Sequence, residues 1–211
     1  SGITFTRNNP DESLSAAIAA SNSGRYDLHL ALHSNASPDS LAGVLRGADF
    51  YYYSNSARGK RAATVLADNY KSIYPNPTQV NTVPTLVLAE VRRTNAPAVL
   101  AELAYHDNPE DAEWLKSNIN AIAVNLVQGL CEYFGIAFAG PGEGNSEPTG
   151  TVTTQGSRLN LRSRPSTSSA VIAQIPNGEQ VIIIDKVGNW YIVEYGGMIG
   201  YAFSDYIKEN E

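Results

Sequence analysis

The chain has 211 residues, 43% hydrophobic and 17% charged, enough apolar material for one large core or two modest ones and too much for a disordered tail. Its net charge is −6, from 15 Lys and Arg against 21 Asp and Glu, with no basic block, which argues against a phosphate-seeking nucleic-acid surface. No apolar stretch reaches the ~18 residues that span a bilayer, and the single cysteine, Cys131, excludes an internal disulfide or a multi-cysteine metal site.

The chain opens on Ser1-Gly2-Ile3-Thr4-Phe5-Thr6-Arg7, whose alternation reads as a strand and not as a signal peptide. A helix is expected over 13–23, where Leu14, Ala17, Ile18 and Ala20 recur at helical spacing, and a second over 57–73 on Ala62, Val65, Leu66 and Tyr70. Strands are expected over 28–33, 49–53, 86–89 and 98–103. One or two helices over 109–134 carry Trp114, Leu115, Ile119, Ile122, Leu126 and Leu130 on one side, and Cys131 falls here as a buried structural thiol. Strands alternating with helices predict an α/β domain with a mostly parallel sheet flanked by helices over residues 1–139.

The run from Ala139 to Pro148 is rich in Gly, Pro and polar residues without apolar period, which places a linker at 140–148. Beyond it, short strands over 159–162, 171–175, 181–184, 190–194 and 200–203 are split by turn residues such as Gly178 and Gly188, which allow positive φ. Short strands at this spacing predict a small all-β barrel over 149–211.

Two positions stand out chemically. In Tyr26-Asp27-Leu28-His29-Leu30-Ala31-Leu32-His33, period two puts His29, Ala31 and His33 on one face, and His33 ends the strand, where open α/β sheets bind ligands. Taken alone, a strand-end His is more often structural. Glu102 ends the strand Ala98-Val99-Leu100-Ala101, where burial raises a carboxyl pKa toward proton transfer; an edge-strand Glu in a salt bridge is the plainer alternative. His29 lies about 13 Å from His33 along a strand, too far for both to chelate one ion, and reads as a sheet-face residue. His106 enters a turn and suits a capping or supporting role.

These motifs, Leu30-Ala31-Leu32-His33-Ser34-Asn35-Ala36 and Pro97-Ala98-Val99-Leu100-Ala101-Glu102-Leu103-Ala104 with Tyr105-His106-Asp107-Asn108 after it, make residues 1 to about 136 resemble the zinc-dependent N-acetylmuramoyl-L-alanine amidases. Those enzymes cleave the amide between muramic acid and the first L-alanine of the peptidoglycan stem. The resemblance implies that His33 is a zinc ligand, that Glu102 is the catalytic acid/base and that Asn35 helps to position substrate, although a loop-forming role suits Asn35 equally. The family's first zinc His, in a Gly-His-Gly-like motif, and a Glu about a dozen residues later have no counterpart here, and Glu12 follows the wrong element. The expectation is an amidase without its N-terminal ~40 residues; the alternative is a catalytically inactive wall-binding or regulatory descendant.

Residues 149–208 resemble the bacterial SH3-type domains of cell-wall hydrolases through Leu159-Asn160-Leu161-Arg162, Pro176-Asn177-Gly178-Glu179, Gly188-Asn189-Trp190-Tyr191 and Gly200-Tyr201-Ala202. Together the two resemblances imply a secreted, wall-associated protein that acts on peptidoglycan, of cellular or phage origin.

Overall fold

The computed structural model of the chain describes residues 2–8, 11–139 and 148–210 and divides into two compact units, Ser1–Pro141 and Gly142–Glu211. Except for Pro148, the linker expected over 140–148 lies outside the described residues.

In the first unit, strands β1 (His29–Asn35), β2 (Ala48–Tyr53), β3 (Val80–Thr85) and β4 (Ala98–Tyr105) form one sheet in the order β1-β4-β2-β3. β1 runs parallel to β4 and β2 parallel to β3, while the central β2–β4 pairing is antiparallel. Helices α2 (Ala57–Tyr70), α4 (Pro109–Ser117) and α5 (Ile119–Phe134) supply the main core cluster with Phe50, Tyr52, Val99 and Ala101 of the sheet. Ser56 Oγ starts α2 by accepting from Gly59 N–H at 3.0 Å, satisfying a donor that the first turn leaves open. Cys131, 1% exposed, is a free buried thiol in α5.

The opposite face carries α3 (Ala89–Arg93), whose Val91 packs with Ala31, Ala98 and Leu100 in a small second cluster. Helix α1 (Leu14–Ser23) is tied to this element: Asn22 Nδ2 donates to Arg93 O at 2.8 Å, and Asn22 Oδ1 accepts from Asn95 N–H at 2.7 Å.

Two expected strands are absent. Residues 3–7 are irregular and Phe5 is 71% exposed; the alternation suits a strand, but a strand persists only beside a neighbour, and among the described residues none pairs with it. Residues 86–88 are a bend, because Thr85 Oγ1 accepts from the N–H groups of Val87 and Leu88 and turns the chain into α3. The strand lies just before, as β3, where Pro84 is tolerated because β3 is at the sheet edge.

The second unit is a seven-stranded antiparallel sheet in the order β11-β5-β8-β9-β10-β6-β7. Its strands are β5 (Thr149–Val152), β6 (Leu159–Arg162), β7 (Val171–Ile175), β8 (Gln180–Val187), β9 (Trp190–Tyr195), β10 (Met198–Phe203) and β11 (Ile207–Glu209). Every strand sends at least one residue into a single cluster that includes Val152, Leu161, Ile175, Val181, Val193, Ala202 and Ile207. One sheet enclosing one core is the barrel solution for a unit of this size.

Candidate active site

Sheet pairing assembles the site from residues far apart in sequence. His33 is the register partner of Glu102, Glu102 of Asp49, and Asp49 of Asn81, so one transverse row crosses all four strands. Register partners project to the same face, here the face of the small cluster with Ala31, Ala98 and Leu100. His33 and Glu102, both singled out by sequence, are brought together. Asp49 is not singled out there: it opens the strand expected over 49–53, and nothing local shows that it faces Glu102.

Glu102 sits on an inner strand, not an edge, and its Oε2 is buried without a hydrogen-bond partner. Burial pushes its pKa up; the charge of Asp49 adds to this, while His33 and His106 pull it back. Asp49 is tied down by Asn81 Nδ2 at 3.0 Å and by the Tyr51 hydroxyl at 3.3 Å. Burial, with Asp49 beside it, pushes the Tyr51 phenol up to about 12, so that hydroxyl remains a donor through the neutral range.

His33 is half exposed, and its Nε2 lies 3.6 Å from Oε2 of Glu90 in α3. The other oxygen of Glu90 meets Nε2 of His29 at 3.1 Å, which places His29 on the sheet face expected of it. Glu90 is held below the ordinary carboxylate range, first by the His29 hydrogen bond. In the sequence nothing local marks it, since it directly follows the apolar run of strand composition at 86–89. Asn35 ends β1 with Oδ1 accepting from Ala36 N–H at 2.9 Å, a loop-forming bond that leaves its amide nitrogen free of protein acceptors among the described residues.

The segment after β4 fastens the loop after β1. His106 N–H donates to Asn35 O, and its Nδ1 lies 3.1 Å from both Oγ and O of Ser34, the supporting role expected of it. Asp107 accepts from the N–H groups of Ser37 and Gly43, at 3.0 and 2.8 Å, and the Gly43 bond is the main reason that its pKa falls to about 2. Asn108 caps α4 and donates to Gly43 O. Asp111, fully buried, accepts from Gly47 N–H, Tyr105 N–H, the Tyr74 hydroxyl and Arg46 Nε.

A cavity of about 470 Å³ lies elsewhere, between residues 2–8, α1 and the start of β1. Its lining includes His29, Leu30 and Phe134 but not His33 or Glu102, so it lies apart from the row that those two residues share. Among the described residues no group of three His, Cys, Asp or Glu is placed to hold a metal ion. His33 and the orphaned Glu102 oxygen alone do not make the three-ligand set of a catalytic zinc.

Comparison with known proteins places this geometry. Residues 157–208 match the bacterial SH3 domain family. The chain is 36% identical over 63 residues to the putative N-acetylmuramoyl-L-alanine amidase YrvJ of Bacillus subtilis, covering 30% of this chain and 12% of that protein. It is 32% identical over 109 residues to bacteriocin BCN5 of Clostridium perfringens, covering 48% and 11%. The chain thus spans only about a tenth of the length of either curated relative. Among solved structures, the catalytic domain of the CD27L endolysin targeting Clostridia difficile superposes with a TM-score of 0.50 at 28% identity, over 60% of this chain and 64% of that one. Residues 1–132 match the N-acetylmuramoyl-L-alanine amidase family, and to that family the chain belongs.

Proposed function

We propose that the chain cleaves the amide between N-acetylmuramic acid and L-alanine in peptidoglycan, with Glu102 as the proton carrier. The observation that carries this reading is the buried, unpartnered Oε2 of Glu102 opposite His33 on one sheet face. A carboxyl with a raised pKa takes a proton from the attacking water as the C–O bond forms and returns it to the leaving amine as the C–N bond breaks. Asn35 offers its amide nitrogen to the substrate, and Asp49 is held beside Glu102 by Tyr51 and Asn81.

The resemblance also implies zinc, which when bound polarises a carbonyl and acidifies water. His33 is the residue here that matches a zinc ligand, and the described residues do not complete the set. The chemistry assigned to this chain is therefore the proton transfer at Glu102 and the orientation of substrate around it.

The unit at 149–211 is read as a wall anchor joined by the linker at 140–148 to a catalytic unit at 1–139, in a secreted, wall-associated protein. Tethering a hydrolase to an insoluble polymer raises its effective concentration there. Deleting residues 141–211 is expected to preserve cleavage of soluble muropeptides and slow attack on whole walls. The central test is mass analysis of muropeptide products: wild type releases the stem peptide with a free L-alanine amine, and Glu102→Gln does so ~10²–10⁴-fold more slowly. Equal rates in the two chains remove Glu102 from this role.

A further inference from the structure

The two histidines of β1 meet one carboxylate but are not equivalent. Glu90 places Oε1 3.1 Å from Nε2 of His29 and Oε2 3.6 Å from Nε2 of His33. The other nitrogen of His29 lies 3.0 Å from Ser21 Oγ in α1, so both its nitrogens are engaged. His33 has its Nδ1 free of hydrogen-bond partners among the described residues, and its side chain is 47% exposed. Glu90 itself is 12% exposed and has little room to drift. It is next to Val91, which is 3% exposed in the small cluster, and α3 is fastened to α1 through Asn22.

We propose that Glu90 is a positioning residue: anchored through His29 and Ser21, it engages Nε2 of His33 and leaves Nδ1 as that ring's working atom. The physical basis is general. At 3.6 Å the contact is longer than a hydrogen bond, but a carboxylate charge facing one ring nitrogen favours the tautomer with the proton on that nitrogen, and the lone pair is then carried by the other. The order Ser21, His29, Glu90, His33 fits this direction of action. The inner ring is saturated and serves as an anchor, while the outer ring keeps one nitrogen available beside Glu102. The inference rests on the reading of His33 as a site residue and adds the residue that aims it and the atom that it presents.

Ring-specific alkylation tests this on the full chain. Iodoacetamide is neutral, so its approach is indifferent to the charge of Glu90, and the substituted nitrogen of His33 is assigned by NMR on the isolated peptide. Wild type is expected to be substituted chiefly at Nδ1, and Glu90→Ala chiefly at Nε2, the more accessible nitrogen of an unpartnered imidazole. Predominant Nε2 substitution in the wild type, or an unchanged Nδ1 product in Glu90→Ala, overturns the proposal. Should Glu90→Ala not fold, Glu90→Gln serves: its neutral amide favours a proton on Nε2 less than a carboxylate does, and the product shifts the same way by less.

No substrate enters that measurement, so it stands or falls apart from the amidase reading. Turnover adds the second arm. Glu90→Gln is expected to lower kcat about 10–100-fold at unchanged KM, the usual worth of a group that orients a working histidine. A change confined to KM counts against positioning. A wild type without turnover sinks the amidase reading and leaves Glu90 to the alkylation result.

Discussion

On one face of the four-stranded sheet, Phe50, Val99 and Ala101 are completely covered by the helical layer, whereas on the other Ala31, Ala98 and Leu100 form a small cluster beside α3 that gives way to Glu102, Asp49 and His33. The same strands build both faces, because successive side chains of a strand alternate. Val99 and Ala101 serve the core while Leu100 and Glu102, one position along, serve the site. A covered core and a polar row are thus separated by a single residue step.

The sharpest way to break this comparison is to damage each face and ask what is lost. Leu66→Ala, at a residue 1% exposed in α2, is expected to cost ~2–5 kcal/mol of stability with turnover per folded molecule unchanged. Urea unfolding and an active-fraction assay measure both, and a matching loss of intrinsic turnover would show that the faces are not separable.

Asp111 sharpens the comparison because it serves both sides. It holds Tyr105 N–H on β4, Gly47 N–H before β2 and the Tyr74 hydroxyl in the covered core. Asp111→Asn is expected to cost ~1–3 kcal/mol, since an amide cannot accept from all four donors and leaves buried groups unsatisfied. It should also lower turnover, by loosening the strand ends on either side of Glu102. Loss of stability alone would confine Asp111 to the core.

The smallest effect belongs to Asp107, on the open side, and it is read through pH. Its folded pKa, about 2, is below the ordinary value of ~3.9 for Asp, so the folded chain releases this proton more readily than the unfolded one. The resulting stabilisation is complete above pH ~5 and is lost as pH falls toward 2. Asp107→Asn should flatten that part of the acid limb in urea midpoints collected from pH 5 to pH 2. An unchanged limb would mean that the bonds to Ser37 and Gly43 do not persist in solution.

The alternation of 26–33 and the lone carboxylate in 96–104 were enough to single out His33 and Glu102. What the sequence could not convey is that they are register partners. That pairing joins residues about seventy positions apart, and no local pattern encodes it. Asp49 was hidden for the same reason, as its meaning comes from facing Glu102 across an antiparallel pair. Glu90 was lost to a specific misreading: Leu86-Val87-Leu88 has strand composition, but the Thr85 hydroxyl captures two backbone N–H groups and bends the chain. In the barrel, β5 and β11 were overlooked because Thr149-Gly150-Thr151-Val152 and Ile207-Lys208-Glu209 are short and mostly polar. β5 becomes a strand between β8 and β11, and β11 by pairing with β5.

The loop between β1 and β2 is pinned at both ends and little between. Asp107 holds it at Ser37 and Gly43, and Asp111 holds it at Arg46 and Gly47, while Leu41 and Val44 stand exposed. Such a segment is a natural place for grafting. Residues 38–42 can be lengthened, shortened or exchanged between relatives while the clasps at either end keep His33 and Asp49 in register. A change in those five residues would then leave the row of His33, Glu102 and Asp49 in place.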